Sequence, residues 1–568
     1  MRDGDPEAPL LVLGPLLRYV GETAVTIWVE TDRACQVEIL GHHAQTFEVA
    51  GHHYGLVVVD SLRPGAEHEY QVALDGVVCW PEPGSEFPSS AFRTLDPDRP
   101  LRLVFGSCRI AELPVPRRRR GRARHEQEHG SDALAAYALD LRETPRERWP
   151  DVMLLIGDQV YADEVGPATR EFIEARRDPS SPPGYQVADF TEYCFLYREA
   201  WSEPSVRWLL SVIPTAMIFD DHDVHDDWNI SLAWRREYQA KPWWPARIGG
   251  AYMSYWVYQH LGNLSPAELG KNELWRQVQE SGDAAAVLSD FAVSADRASE
   301  GIQWSFQRSF GAVQVVVIDS RSRVLEDGQR LMVGEAEWQW VTEAVSGDWE
   351  HVVLATSLPL LLPHGIHDLE AWNEAVCGGA WGKRVARVGE RLRRAVDLEH
   401  WAAFGKSFGE FERLLAGLAT GRYGRPPASV TVISGDVHHS YLAAVDFPAS
   451  RSLQDSRGSR VFRDGTDPRS AVYQAVCSPI HNMLPQPFRR GQQVTTSRAG
   501  ELAGRALARL AGVRKPRIRW RITRGPWFHN MLCALEFDGR QARLRFARSA
   551  PDAAGTPHLQ PVCEAELS

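Results

Sequence analysis

Six short apolar runs, each rich in β-branched residues, constrain this chain more tightly than any other feature. They lie at residues 101–105, 152–156, 215–219, 313–318, 352–355 and 430–433. Each is too short for a helix, and continuous apolar character fits strands covered on both faces of a sheet. Longer amphipathic stretches between them, such as residues 249–261 and 335–345, predict helices outside that sheet. The expected class is therefore α/β.

The runs matter most for how they end. Five of them exit into polar clusters: Gly106-Ser-Cys108, Gly157-Asp-Gln-Val-Tyr-Ala-Asp-Glu164, Asp220-Asp-His-Asp-Val-His-Asp-Asp-Trp-Asn229, Asp319-Ser-Arg321 and Ser434-Gly-Asp-Val-His-His-Ser440. Ligands of α/β sheets bind outside the carboxyl ends of strands, so five such clusters can meet at one place. Gathered alone, Asp158, Asp221, Asp223, Asp226, Asp227 and Asp436 would repel one another. Buried carboxylates need compensating positive charge or they protonate, and metal cations supply that charge. His222 and His438 add imidazole nitrogens, Cys108 a thiolate and Tyr161 a phenolate. Oxygen-rich ligation suits Ca²⁺ or Mn²⁺, whereas thiolate with phenolate and imidazole suits iron, so the mixture implies two unlike metals. Two adjacent metals clamp the attacking and leaving oxygens of an in-line displacement, and a phosphate ester fits that clamp best. Singly, each cluster has a plainer reading: a turn, a core tyrosine, a buried thiol or a solvated acidic loop. Their recurrence after successive strands favours the joint reading.

A chain of 568 residues exceeds one ordinary domain, and its texture changes once. Residues 9–95 hold short strand candidates at 25–29, 35–39, 53–59 and 70–74, separated by turn signals such as Arg63-Pro-Gly65 and Asp75-Gly76. They suggest a small all-β, immunoglobulin-like or fibronectin-like domain over residues 1–97. Asp96-Pro-Asp-Arg-Pro100 reads as a linker into a catalytic domain over residues 98–568. An arginine-rich insertion at 117–124 and a polar stretch at 450–470 read as surface loops. The net charge of −11 argues against a stable nucleic-acid complex or an anionic membrane as the main partner. Eight scattered cysteines form no CxxC pair and read as buried thiols in a reducing compartment. No leader and no transmembrane run is visible, so the cytoplasm is the expected location.

Gly106-Ser-Cys108, Gly157-Asp-x-x-Tyr161, Asp220-Asp-His-Asp223 and Ser434-Gly-Asp-x-His438, in that order, resemble the PhoD-type (alkaline phosphatase D) branch of the calcineurin-like metallophosphoesterases. The resemblance covers roughly residues 100–550. It implies a four-layer αββα sandwich, phosphomonoesterase or phosphodiesterase activity, and Fe³⁺ with Ca²⁺, with Mn or Zn as other ions. Carried over by motif position, Cys108, Tyr161 and His438 would bind iron and Asp158 would bridge both metals. Asp436 would serve the calcium side with Asp221, Asp226 or Asp227. The resemblance also implies that His222 touches the substrate phosphate or protonates the leaving group.

Arg109 and Arg321 are candidates to fork onto phosphate oxygens, with a structural ion pair as the alternative for Arg321. His364 and His367 either line the substrate side or sit on a surface loop. Of Trp243, Trp244, Trp256, Trp372 and Trp381, most are expected in the core. The expected substrate is a small-molecule, nucleotide or lipid phosphate ester. A non-catalytic calcium-holding protein on the same fold is the rival, and a nuclease or phospholipase is a variant within hydrolysis.

Overall fold

The computed structural model describes residues 8–111, 130–297, 302–447, 469–484, 497–553 and 555–568. The arginine-rich insertion and nearly all of the 450–470 stretch lie outside the described residues.

Ten strands build the N-terminal part: β1 (Leu11–Val20), β2 (Val25–Thr31), β3 (Gln36–Ile39), β4 (His42–Gln45), β5 (Phe47–Val49), β6 (His52–Val59), β7 (Glu67–Glu69), β8 (Val72–Leu74), β9 (Val77–Trp80) and β10 (Ala91–Arg93). They form two four-stranded sheets, ordered β1-β2-β6-β5 and β4-β3-β8-β9, and a β7-β10 ribbon. Alternation along β2 sends Val25, Ile27 and Val29 into the core between these sheets, while Trp28 faces the rest of the protein. Trp28, Tyr54 and Phe47 thereby join the large apolar cluster of the α/β part. Tyr54 Oη lies 3.2 Å from both Cys194 Sγ and Tyr258 Oη. The all-β part shares a core with its neighbour.

The six apolar runs are all strands. β11 (Leu101–Gly106), β12 (Val152–Ile156) and β13 (Thr215–Ile218) pair in parallel. The other edge of β11 pairs antiparallel with a late strand, β23 (Met531–Asp538). With β24 (Gln541–Pro551) and β25 (Pro557–Glu566) these make a six-stranded sheet ordered β13-β12-β11-β23-β24-β25. The second sheet has seven strands. It contains β14 (Phe306–Phe310), β15 (Val313–Ile318), β18 (His351–Thr356), β19 (Ser429–Ser434), β20 (Ser440–Asp446), β21 (Ala471–Val476) and β22 (Arg519–Trp527), in the order β14-β15-β18-β19-β21-β20-β22.

The two sheets pack face to face. Along β15, Val315 and Val317 join the cluster that holds Phe105 and Ile156, whereas Val316 and Ile318 join Phe411 and Leu415 of the Gly405–Thr420 helix. A strand buried on both faces explains why these runs are apolar without alternation. Helices outside two central sheets give the sandwich implied by the motifs.

The expectation for residues 249–261 needs one correction. The Glu335–Ala344 helix is amphipathic, but Trp244–Ser254 continues into a π-helical stretch, Tyr255–His260, that is buried on every side. It is wedged between the all-β part and β13, so no face of it needs to be polar. All eight cysteines are free thiols. No helix among the described residues is long and apolar enough to cross a membrane.

Candidate metal centre

β11, β12 and β13 run parallel in one sheet, and β15, β18 and β19 in the other, so their carboxyl ends open on one crevice. The exit loops touch directly. Cys108 N donates to Gly157 O and Arg109 N to Asp158 O (3.2 and 3.0 Å). Asp436 N donates to Ser107 Oγ at 3.1 Å. A Cβ on Gly435 would stand 2.0 Å from Ser107 Oγ, so only glycine lets the loops after β11 and β19 meet.

The backbone there is held in an uncommon conformation. Cys108, Asp158, Asp227, Asn229, Asp436 and His438 all have positive φ, between 47° and 66°. Non-glycine residues rarely adopt this region, and clusters of them mark sites where side-chain aim outweighs local comfort.

Three ligand groups result, each with its ligand atoms within 4.8 Å of one another: Cys108 with Asp158 and His438, Asp158 with Asp221 and His222, and Asp220 with Asp221 and Asp436. Asp158 is common to the first two, as a bridging carboxylate would be. Tyr161 Oη donates to Asp158 Oδ2 at 3.3 Å, and its ring lies 4.5 Å from that of His222. Cys108 Sγ accepts from Ser478 Oγ at 3.2 Å.

The electrostatics call for cations. Burial, then neighbouring carboxylates, push the Asp158 carboxyl far above its usual range despite His222. Asp220 is pushed the same way by burial, against the pull of Arg321. Burial and then Glu399 and Asp397 push Asp227 up to about 10. Burial also raises the Cys108 thiol, with Asp158 and Asp436 adding to it, and lowers His438 to about 4. Asp158 Oδ1, Asp220 Oδ2 and Asp227 Oδ1 are buried without a hydrogen-bond partner. Orphaned carboxylate oxygens beside a thiol and two imidazoles fit metal ions, which would both neutralise and satisfy them.

Arg321 is the built-in cation. Fully buried, it contacts Asp220, lies 3.0 Å from Asp221 and from Asp436, and 2.7 Å from Glu399. The ion-pair alternative weighed for it is thus what the structure shows. Arg109 is not brought to the cluster. Its guanidinium pairs with Asp132 at 2.9 Å and donates to Ala200 O, so its donors are engaged within the core. Asp226 points outward, its carboxylate 60% exposed, and neither it nor Asp227 falls in the three ligand groups. Asp227 instead faces Asp397 and Glu399. His364 and His367 begin the His364–Cys377 helix and pack on Trp520, away from solvent loops.

Three contributors, Asp163, His400 and Ser478, escaped the motif reading, and a fourth, Asp223, was read only as one of the crowded carboxylates. Asp163 grips His222 Nδ1 at 3.0 Å and accepts from Asp226 N at 2.9 Å. His400 spans Glu370 Oε1 (2.6 Å) and Asp436 Oδ2 (3.0 Å). Burial alone would raise Asp436, but the His400 hydrogen bond and charge, with Arg321, hold it well below the carboxylate range. Asp223 accepts from Asp220 N at 2.8 Å and Val160 N at 3.3 Å, pinning the loops after β12 and β13 together. Ser478, just past β21, steadies Cys108 and His438 N. Asp163 and Asp223 sit inside the quoted clusters, while Ser478 is signalled only by the Cys477-Ser-Pro479 exit of a strand not picked out by its composition.

Such a cage at the carboxyl ends of two packed sheets defines a metal-dependent phosphoesterase. The PhoD-like phosphatase family model matches residues 135–503, more than half of the chain, and the chain belongs to that family. A domain family of unknown function, DUF7800, matches residues 8–92. The solved structure of PhoD superposes on 100% of this chain and 93% of its own, with a TM-score of 0.57 at 13% identity, which shows a shared fold. A maltogenic amylase from S. marinus reaches a TM-score of only 0.16 at 9% identity, over 96% of this chain and 79% of its own, and carries no structural argument. No curated protein matches the sequence.

Proposed function

We propose that the protein hydrolyses small-molecule phosphate esters, mono- or diesters, at a two-metal site with iron and calcium as its ions. The observation that supports this most is that Asp158 belongs at once to a thiolate-imidazole group and to an oxygen-rich group. Cys108, His438 and Tyr161 would hold the softer ion with Asp158. Asp158 and Asp221, with Asp436 nearby, would hold the harder one. When bound, the ions lower the pKa of a water and neutralise the phosphate oxygens.

The protein's own groups do the rest. Arg321 fixes the spacing of Asp220, Asp221 and Asp436 by pairing with all three. Glu370 and His400 aim Asp436. Asp163 holds His222 through Nδ1, which leaves Nε2, 3.8 Å from Asp226 Oδ1, as its other nitrogen beside Asp158 and Asp221. We assign His222 as the proton donor to the departing oxygen, and Asp163 keeps its ring charged and oriented.

Metal analysis of protein purified without chelators, coupled to turnover of chromogenic mono- and diesters, tests the reading. Iron with a second ion, and loss of turnover in Cys108→Ala and Asp158→Asn, are the expected results. Full activity of Asp158→Asn would end it.

A further inference from the structure

We infer that the N-terminal all-β part is a working component of the catalytic unit, and that Arg18 is the positioning residue through which it holds the metal-binding loops. Arg18 lies on β1, yet it is 1% exposed and reaches out of its own domain. Its Nη1 donates to Tyr258 O (3.2 Å) and Met217 Sδ (3.3 Å), and its Nη2 to Gln259 O (2.5 Å) and Asn263 Oδ1 (3.3 Å). Among the described residues no carboxylate pairs with it, and burial, with Arg308 adding to it, lowers its pKa to about 9. A guanidinium held only by carbonyls, an amide oxygen and a thioether is costly to bury, and such a cost is sustained where it fixes a geometry.

What it fixes is the Tyr255–His260 π-helical stretch, a widened turn of the kind that recurs at functional sites. From there the connection runs on without a gap. Gln259 Nε2 donates to Asp223 Oδ1 at 3.1 Å and to Tyr197 Oη at 2.8 Å. Asp223 receives the amides of Asp220 and Val160, one from each metal loop. Asn263 pairs with both Met217 N (2.9 Å) and Met217 O (2.6 Å), serving as a substitute partner for the free edge of β13. Thr215 Oγ1 adds a bond to Leu17 O at 3.1 Å, next to Arg18 in sequence.

Gly262 corroborates the fit. A Cβ there would stand 2.1 Å from Arg18 Nε, so the chain is glycine where the arginine passes. The arginine side chain, the widened helix and the glycine notch form one joint.

The inference rests on the phosphoesterase reading only for its activity readout. The experiment compares full-length wild type, Arg18→Met, Arg18→Lys and Gln259→Leu. Gln259→Leu cuts the relay while leaving the Tyr258 and Gln259 carbonyls to Arg18, so it serves if Arg18→Met does not fold. Each is assayed for kcat and KM, for metal content, and for backbone amide exchange in peptides covering residues 157–163 and 220–229. Arg18→Met and Gln259→Leu should lose roughly tenfold or more in kcat with KM within about threefold, exchange faster at both loops, and bind metal more weakly, with Arg18→Lys partly restored. A folded Arg18→Met or Gln259→Leu with wild-type kcat and unchanged exchange at both loops would overturn the inference. If wild type hydrolyses no ester, the proposed function fails, while exchange and metal content still decide the relay.

Discussion

Replacing Arg321 by methionine gives the sharpest test of how this cage is balanced. The guanidinium is fully buried and faces four carboxylates. Glu399 would keep Arg323 at 3.3 Å and Asp436 would keep His400 at 3.0 Å. Asp220 and Asp221 would lose the arginine they pair with directly. Removing one partner of a buried ion pair costs about 3–5 kcal/mol, since the remaining charge stays desolvated. The loss should therefore be about 3–5 kcal/mol in chelator-treated protein, read by denaturant titration of the tryptophan signal. Metal ions bound to the native state replace part of the missing charge, so the deficit should shrink when metal ions are restored. Arg321→Lys keeps a charge but cannot fork across four oxygens and should fall between. A deficit below about 1 kcal/mol without metal, or an equal deficit with and without it, would refute the charge accounting.

Three further outcomes follow from the geometry. His367 is 4% exposed, and burial, with His364 adding to it, lowers its pKa to about 3. Its folded pKa lies below the unfolded value, so its contribution is complete above about pH 6.5 and is lost as pH falls. At about pH 5 that loss is about 2 kcal/mol, and His367→Leu should show a correspondingly shallower acid decline in stability. Gly435→Ala drives a methyl into Ser107 and should separate the Cys108 and Asp436 loops, lowering both bound metal and kcat, with Ser107→Gly in the same chain restoring them only in part, because it also removes the acceptor of Asp436 N. Asp163→Asn releases His222 and should cost roughly 10- to 100-fold in kcat, more for esters with poor leaving groups. An equal loss across leaving groups would remove His222 as the proton donor.

The strands were legible because β-branched runs such as residues 313–318 are buried on both faces and need no polar alternation. The cluster was legible because its members follow such runs directly, so chain order alone brought Cys108, Asp158, Asp221 and Asp436 to one rim. What stayed hidden came from elsewhere in the chain. Asp397, Glu399 and His400 arrive from the connection after the Lys383–Ala395 helix, where no strand exit marks them. Arginine is an ordinary surface residue, so Arg18 gave no sign that it is buried, whereas Arg109 and Arg321 were marked by the strand exits they follow. Residues 249–261 read as amphipathic because a Tyr, Gln and His pattern passes for a polar face. Only the packing of the all-β part against them shows that Tyr258 and Gln259 bond internally.

The pairing of β11 with β23 has a consequence for biosynthesis. The strand that carries Cys108 emerges early, yet its second neighbour is residues 531–538, translated more than four hundred residues later. Until then β11 presents a bare hydrogen-bonding edge, a template for wrong partners. The sheet behind the cage thus cannot be completed until residues 531–538 are made, and stop codons shortly before Met531 should yield aggregates in place of partly active fragments.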